Sequence, residues 1–340
     1  MRAQRAAFVL SCAAHLLAAG GFLGPSGCTE CHPGPYQRQV RSRHALALRP
    51  IRESPLAQLL VGRTWRERGD VTLEYQASPG GLGITAHKNQ ESASAVLEWA
   101  FGAGAQGITP VGRLDGRYFE HRFSWYRAPD RPALTFGHPA GPSPDPGSAL
   151  GVAQSGEVIY RCFQCHATGV NRGPDLSAMI PGVTCERCHG PGRAHAEAAR
   201  AGKPGRHILN PGRFPAKAQV EICGDCHRLP KPGDASPAPE LEDPITVRFQ
   251  PIGFLASRCF TGSRNFSCLT CHDPHEDARP RNDAFYSSKC LACHSTPARA
   301  RSTCPRAPKK DCLPCHMQRA SPAPHLTFTD HRIRVYPAAR

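Results

Sequence analysis

Apolar positions are unevenly spread along this chain. After Arg2 and Arg5 an apolar run fills Ala6 to Ala19 and ends in small residues near Gly20. A basic start, a short apolar stretch and small residues form the pattern of an export signal, so residues 1–27 are assigned to one, with cleavage expected between Ala19 and Gly27. An uncleaved membrane anchor is the alternative; the run is short for a span and contains His15. Lipidation at Cys12 is disfavoured because almost no apolar segment precedes it. Downstream, Tyr36, Val40 and His44 recur every four residues, which predicts a helix from Pro35 to Leu48 with all three on one stripe. Val71 to Tyr75 and Phe119 to Tyr126 alternate or are rich in β formers, and Gly, Pro and Asp punctuate them. They predict a small β-rich insert, closed by a linker from Pro139 to Ser148. Beyond that point long periodic stretches are few, and short helices joined by Pro- and Gly-rich connections are expected.

Composition sharpens the picture. Aromatic residues make up 7% of the 340, against 32 Gly and 34 Pro, so an interior filled by side chains alone looks thin. The 17 cysteines indicate what else fills it. Fourteen of them fall into seven copies of Cys-x-x-Cys-His. The copies are Cys28, Cys31 and His32; Cys162, Cys165 and His166; Cys185, Cys188 and His189; and Cys223, Cys226 and His227. Then follow Cys268, Cys271 and His272; Cys290, Cys293 and His294; and Cys312, Cys315 and His316.

Two thiols at this spacing meet the two vinyl groups of a haem, and the adjacent imidazole binds its iron from one face. On a helix the three residues, at i, i+3 and i+4, share a face. Structural zinc also uses Cys-x-x-Cys, but it needs a second pair and has no use for a histidine after each pair. A redox dithiol would sit in a βαβ pattern, which surrounds none of the copies. The reading is therefore seven covalently attached c-type haems. One motif stands near the mature N-terminus, about 130 residues pass without another, and six crowd between Cys162 and His316. The expected organisation is an N-terminal haem segment over 28–48, a β-rich insert and linker over 49–150, and a six-haem core over 151–340.

The net charge of +15 would ordinarily point to an anionic partner. Seven haems bring roughly 14 propionates, which absorb that excess, so no nucleic acid is expected. If every iron is six-coordinate, seven further ligands are needed. Beyond Met1 only Met179 and Met317 exist, and Met317 adjoins His316, too close to reach around its own haem. Nine histidines remain: His44, His87, His121, His138, His195, His207, His275, His325 and His331. His44 is favoured by its helical stripe. His195 and His275 closely follow a motif and would serve a neighbouring haem more easily than their own. His325 and His331 lie in the tail, with Asp330 available to orient an imidazole. His121 shares a strand face with Phe119, Phe123 and Trp125 and reads equally as ligand or core residue. His87, His138 and His207 carry no distinguishing signal. Cys259 and Cys304 match no motif and are expected to form a disulfide, the alternative being two free buried thiols.

The segments CTECHPGPY and SRHA between Cys28 and Ala45, CERCHGPGRAH from Cys185, SCLTCHDPH from Ser267, DCLPCHM from Asp311 and FTDHRI from Phe328 resemble the cytochrome c-554-like multihaem cytochromes. That group is allied to hydroxylamine oxidoreductase and the cytochrome c nitrite reductases. The resemblance covers the haem-bearing half and the first motif; it is loose over 49–148. It implies a mainly helical, loop-rich core wrapped around haems in near-contact pairs, and His44, His195 and His275 as distal ligands. No Cys-x-x-Cys-Lys motif is present, so the lysine-ligated haem of the nitrite reductases is absent.

The expected fold is thus mainly α, a loop-rich multihaem core with a small β-rich insert. The expected function is periplasmic electron transfer through low-potential, mostly bis-histidine haems. Expected partners are other cytochromes or a membrane quinol oxidoreductase, with peripheral membrane association. The rival is an oxidoreductase acting on a small nitrogen or sulfur compound at a five-coordinate haem.

Overall fold

Two short turns begin the largest element of the molecule. Gly69 and Asp70, with φ of 88° and 63°, close a three-residue turn begun by Arg68, and Asp115 and Gly116, with φ of 49° and 76°, form a two-residue turn. The first joins β2 (Thr64–Glu67) to β3 (Val71–Ser78), and the second joins β6 (Gly107–Leu114) to β7 (Arg117–His121). Between them run β4 (Gly81–Lys88) and the eleven-residue β5 (Glu91–Phe101), all paired antiparallel. With β1 (Leu48–Pro50), β8 (Phe123–Tyr126), β9 (Arg131–Leu134) and β10 (Gly151–Ala153), they make a ten-stranded sheet ordered β10-β7-β6-β5-β4-β3-β2. β1 adds to β5, β8 to β6, and β9 to β8.

The computed structural model describes residues 21–127, 131–170, 175–230, 243–278, 283–295 and 311–336. Most of the expected export signal, Cys12 included, and Cys304 lie outside them. Contacts divide the chain into two units, Met1–Leu209 and Asn210–Arg340. The sheet lies in the first and overturns the expectation of a mainly α fold with a small insert. Its physical basis is period-two burial: Val71, Leu73 and Tyr75 on β3, and Leu82, Ile84 and Ala86 on β4, all point inward. Ile51, Leu56 and Leu60 close over them, as do Ala149 and Leu150 from the helix Pro146–Leu150.

A second apolar cluster joins Leu48, Phe101 and Val111 of the sheet to Ile159, Phe163 and Ala167, at and just after the helix Gly156–His166, where β11 (Ala167–Thr168) pairs with β12 (Ile180–Pro181). The expected linker is strapped down: Arg122 donates to the carbonyls of Pro139 and Gly141 and pairs with Glu67, which also accepts from Ser143. The apolar core that composition left in doubt is therefore real in this unit.

In the second unit the described elements are short. The helices Ala216–His227, Gln250–Leu255, Arg258–Thr261, Asp283–His294 and Cys312–His316 are joined by irregular segments, and one hairpin pairs β13 (Arg319–Ala323) with β14 (Leu326–Thr329). Among the described residues no helix is long and apolar enough to cross a membrane.

Candidate haem-binding site

All seven motifs lie within the described residues. Five sit on α-helices, and Cys28 and Cys268 sit on 3-10 turns. In three of the five the motif forms the last turn: Cys162–His166, Cys223–His227 and Cys290–His294 end helices of 11 or 12 residues. The histidine is thus presented where the helix stops.

The imidazoles are oriented from behind. Each ring can bind a metal through Nε2 only if Nδ1 has somewhere else to place its proton. Nδ1 of His166 lies 2.9 Å from the Ala47 carbonyl, that of His189 2.8 Å from Leu209, and that of His316 2.9 Å from Arg334. His227 uses the Gln250 side chain at 3.0 Å. Three histidines outside the motifs follow the same rule: His195 to Arg206 O at 3.0 Å, His275 to Asp273 at 2.8 Å, and His331 to Thr329 O at 2.9 Å. The acceptor behind His331 is therefore a carbonyl and not Asp330, whose carboxylate instead takes the Arg332 N–H and the Tyr336 hydroxyl.

Two histidine pairs face each other. His32 and His195 have ring centroids 6.4 Å apart, and His272 and His331 have them 6.2 Å apart. An iron held between two imidazoles at about 2 Å from each ring nitrogen would leave the ring centroids about 6.3 Å apart. Both gaps fit an iron. Burial pushes His331 down to about 4, so its ring is neutral at physiological pH, as a ligand must be.

The remaining candidates are placed differently. The helix predicted to reach Leu48 stops at Gln39, because Ser42 donates to the Gln39 carbonyl and accepts from Ala45 N–H, turning the chain. His44 lies in that turn. Its carbonyl accepts from Val183, beside the third motif, while nearby Ala47 holds His166 of the second. Gly182 makes this approach possible: it has φ of 82°, and a Cβ there would strike the Ala45 carbonyl.

His121 is a core residue. It is fully buried, with Nε2 2.9 Å from the Tyr75 hydroxyl and Nδ1 2.6 Å from Leu150 O, so both nitrogens are engaged; burial pushes it down to about 4. His138 reaches Glu120 at 3.2 Å, and His87 lies 3.7 Å from Glu74 on the sheet. His207 and His325 occupy left-handed turn positions, His325 at the tip of the β13–β14 hairpin.

The motifs also meet one another. Side-chain hydrogen bonds join Cys28 to Cys185, Cys223 to Cys268 and Cys290 to Cys312. These thiols stand for the thioether sulfurs of an attached haem, so the hydrogen bond belongs to the bare chain and the proximity carries over. Cys259, on the helix Arg258–Thr261, lies near Cys271, Cys290 and Cys293. Its proposed partner Cys304 is outside the described residues.

Two buried donors fit a haem as well. Arg49 Nε and Trp99 Nε1 are buried without an acceptor among the described residues, and desolvation lowers the Arg49 guanidinium. A desolvated guanidinium calls for an anion. Trp99 packs on Phe163 at 5.9 Å, and Phe163 lies between Cys162 and Cys165. Sequence reading missed both residues because neither belongs to a motif.

With this geometry in view, similarity to known proteins is informative. The family model described as cytochrome c554 and c-prime matches residues 148–190, which hold the second and third motifs. No curated protein matches. Among solved structures, the crystal structure of the outer cell wall cytochrome OcwA superposes with a TM-score of 0.55 at 15% identity, covering 92% of this chain and 79% of that one. At this identity the likeness is one of fold. Over residues 148–190 the chain is thus similar to cytochrome c554 and c-prime, and over most of its length it shares the fold of a multihaem cytochrome.

Proposed function

We propose that the chain is an exported seven-haem electron-transfer cytochrome, most of whose irons are held between two histidines. The observation that carries this is the pair of 6.4 and 6.2 Å gaps, His32 to His195 and His272 to His331, with Nδ1 of both distal rings bonded to a carbonyl. His44, between the second and third motifs, and His275, with Nδ1 held by Asp273, are the next ligands on the same reasoning. Haem iron bound this way supplies a one-electron couple of low potential.

The polypeptide does the rest. It spaces the sites: the contacts Cys28–Cys185, Cys223–Cys268 and Cys290–Cys312 bring the edges of three pairs of sites together, and Cys271 beside Cys290 links two of these pairs. Arg49 and Trp99, buried without acceptors, would donate to propionate oxygens of a haem at the second motif. Export to the periplasm, exchange of electrons with other cytochromes or a membrane quinol oxidoreductase, and peripheral membrane association complete the reading, and the basic excess serves the propionates.

The test is the purified holoprotein. Its mass should exceed that of the bare chain by seven haems, and its ferric spectrum should be low-spin and unmoved by cyanide, nitrite or hydroxylamine. A high-spin component that shifts with any of these would replace the conduit with a catalytic haem.

A further inference from the structure

One carboxylate inside the third motif does something no haem motif requires. Glu186, 4% exposed, accepts three backbone N–H bonds: from Leu23 at 2.7 Å and Gly192 at 2.7 Å through Oε1, and from Gly24 at 2.9 Å through Oε2. Leu23 and Gly24 lie more than 160 positions away in sequence. Arg193 completes the contact by donating its backbone N–H to Gly21 O and its guanidinium to Phe22 O. The polar groups of the Gly21–Gly24 backbone are thus met by a carboxylate for its donors and by Arg193 for its acceptors, while the Phe22 ring lies beside Gly169. Immediately after it come Cys28 and His32, and these meet Cys185 and His195 on either side of Glu186 and Arg193. Backbone recognition of this kind sets position without depending on side-chain identity.

We propose that export-signal cleavage falls at the Ala19–Gly20 end of its window, which keeps Gly21–Gly24 in the mature chain, and that Glu186 is a positioning residue that docks this segment onto the third motif, and so fixes and electrostatically tunes the haem pair carried by Cys28–His32 and Cys185–His189. This rests on the haem reading above. The buried charge stabilises the ferric state of both sites, because a fixed anion opposes the loss of positive charge at the iron on reduction.

The test uses the haem-loaded full chain and two variants. Glu186→Gln keeps the volume and one oxygen; oriented toward Leu23 and Gly192 it retains their bonds but turns an amide donor toward Gly24 N–H. Exchange of the Gly24 amide should then accelerate about tenfold or more. Two of the seven haem potentials should rise, while the circular-dichroism couplet of neighbouring haems in the Soret band stays. Glu186→Ala loses all three acceptors, so the Leu23, Gly24 and Gly192 amides exchange faster and the couplet weakens.

Unchanged potentials and unchanged exchange in the haem-complete Glu186→Gln protein would overturn the inference, and that variant decides the matter should Glu186→Ala fail to accumulate. Wild-type protein without haem would defeat the earlier reading instead, and the mass of the chain tells the two failures apart.

Discussion

The two units bury apolar surface in very different amounts. Met1–Leu209 contains 23 buried hydrophobic residues and both apolar clusters, whereas Asn210–Arg340 contains four, Val220, Ile252, Phe254 and Leu326, among the described residues. Yet the second unit carries four of the seven motifs. Conformational entropy opposes the ordering of each residue by about 1–2 kcal/mol, and four buried side chains at about 1.5–3 kcal/mol each fall far short of offsetting it. The first unit has a core of its own; on the proposed reading the second would be organised around its haems.

The sharpest way to break this comparison is to withhold haem. In chain produced without cofactor attachment, amide protection should vanish from 243–278, 283–295 and 311–336 while β3 to β6 keep theirs, as read by hydrogen exchange. Protection lost from both units together would mean that the sheet has no stability of its own.

Next in size is Phe163→Ala. Phe163 is fully buried against Phe101 at 5.1 Å, Tyr118 at 5.6 Å and Trp99. Its loss should destabilise the first unit by about 3–5 kcal/mol in urea titration. A cost below about 1 kcal/mol would show that haem, and not the sheet, supports that helix.

Two histidines sharpen the contrast further. His331→Ala should turn one haem high-spin without disturbing the sheet. His121→Ala should leave every haem band in place and cost about 1–3 kcal/mol, because the Tyr75 hydroxyl and the Leu150 carbonyl lose their partner. The reverse pattern would exchange their roles.

The smallest effect is one of pH. Burial holds His121 near 4, below its ordinary 6.5, so the unfolded chain takes up its proton first. The stability that the neutral ring contributes is present above pH 6.5 and drains away as pH falls toward about 4. His121→Gln should flatten this part of the acid-unfolding curve of the first unit; an unaltered slope would assign it to other groups.

How far the sequence could be read follows the range of the interactions involved. Haem attachment is written in five consecutive residues, so all seven motifs are legible. The hairpin turns at Gly69-Asp70 and Asp115-Gly116 are legible for the same reason. The sheet between them is not, because β4 reads GLGITAHK and β5 reads ESASAVLEWAF, and their glycines, alanines and serines mask the alternation. Local pattern could not decide His121 either, since its partners Tyr75 and Leu150 stand 46 and 29 positions away. The predicted helix through His44 failed because the Ser42 hydroxyl competes for backbone partners, which periodicity does not register. Which histidines would serve as distal ligands depends on where remote segments meet: spacing singled out His195 as facing a neighbouring motif but could not say that the motif is that of His32.

The ends of the sheet bear on how the chain finds its form. Cys223 and Cys268 are 45 positions apart and Cys290 and Cys312 only 22, but Cys28 and Cys185 are separated by 157. Closing the longest of these loops costs more entropy, by about (3/2)RT ln n. Because β1 and β10, the first and last strands, are both stitched into one sheet, its folding draws the flanks of the hundred-odd residues between them together. The sheet then acts as a clasp that shortens the search the first and third motifs must make for each other, and that pair should be the last of the three to form.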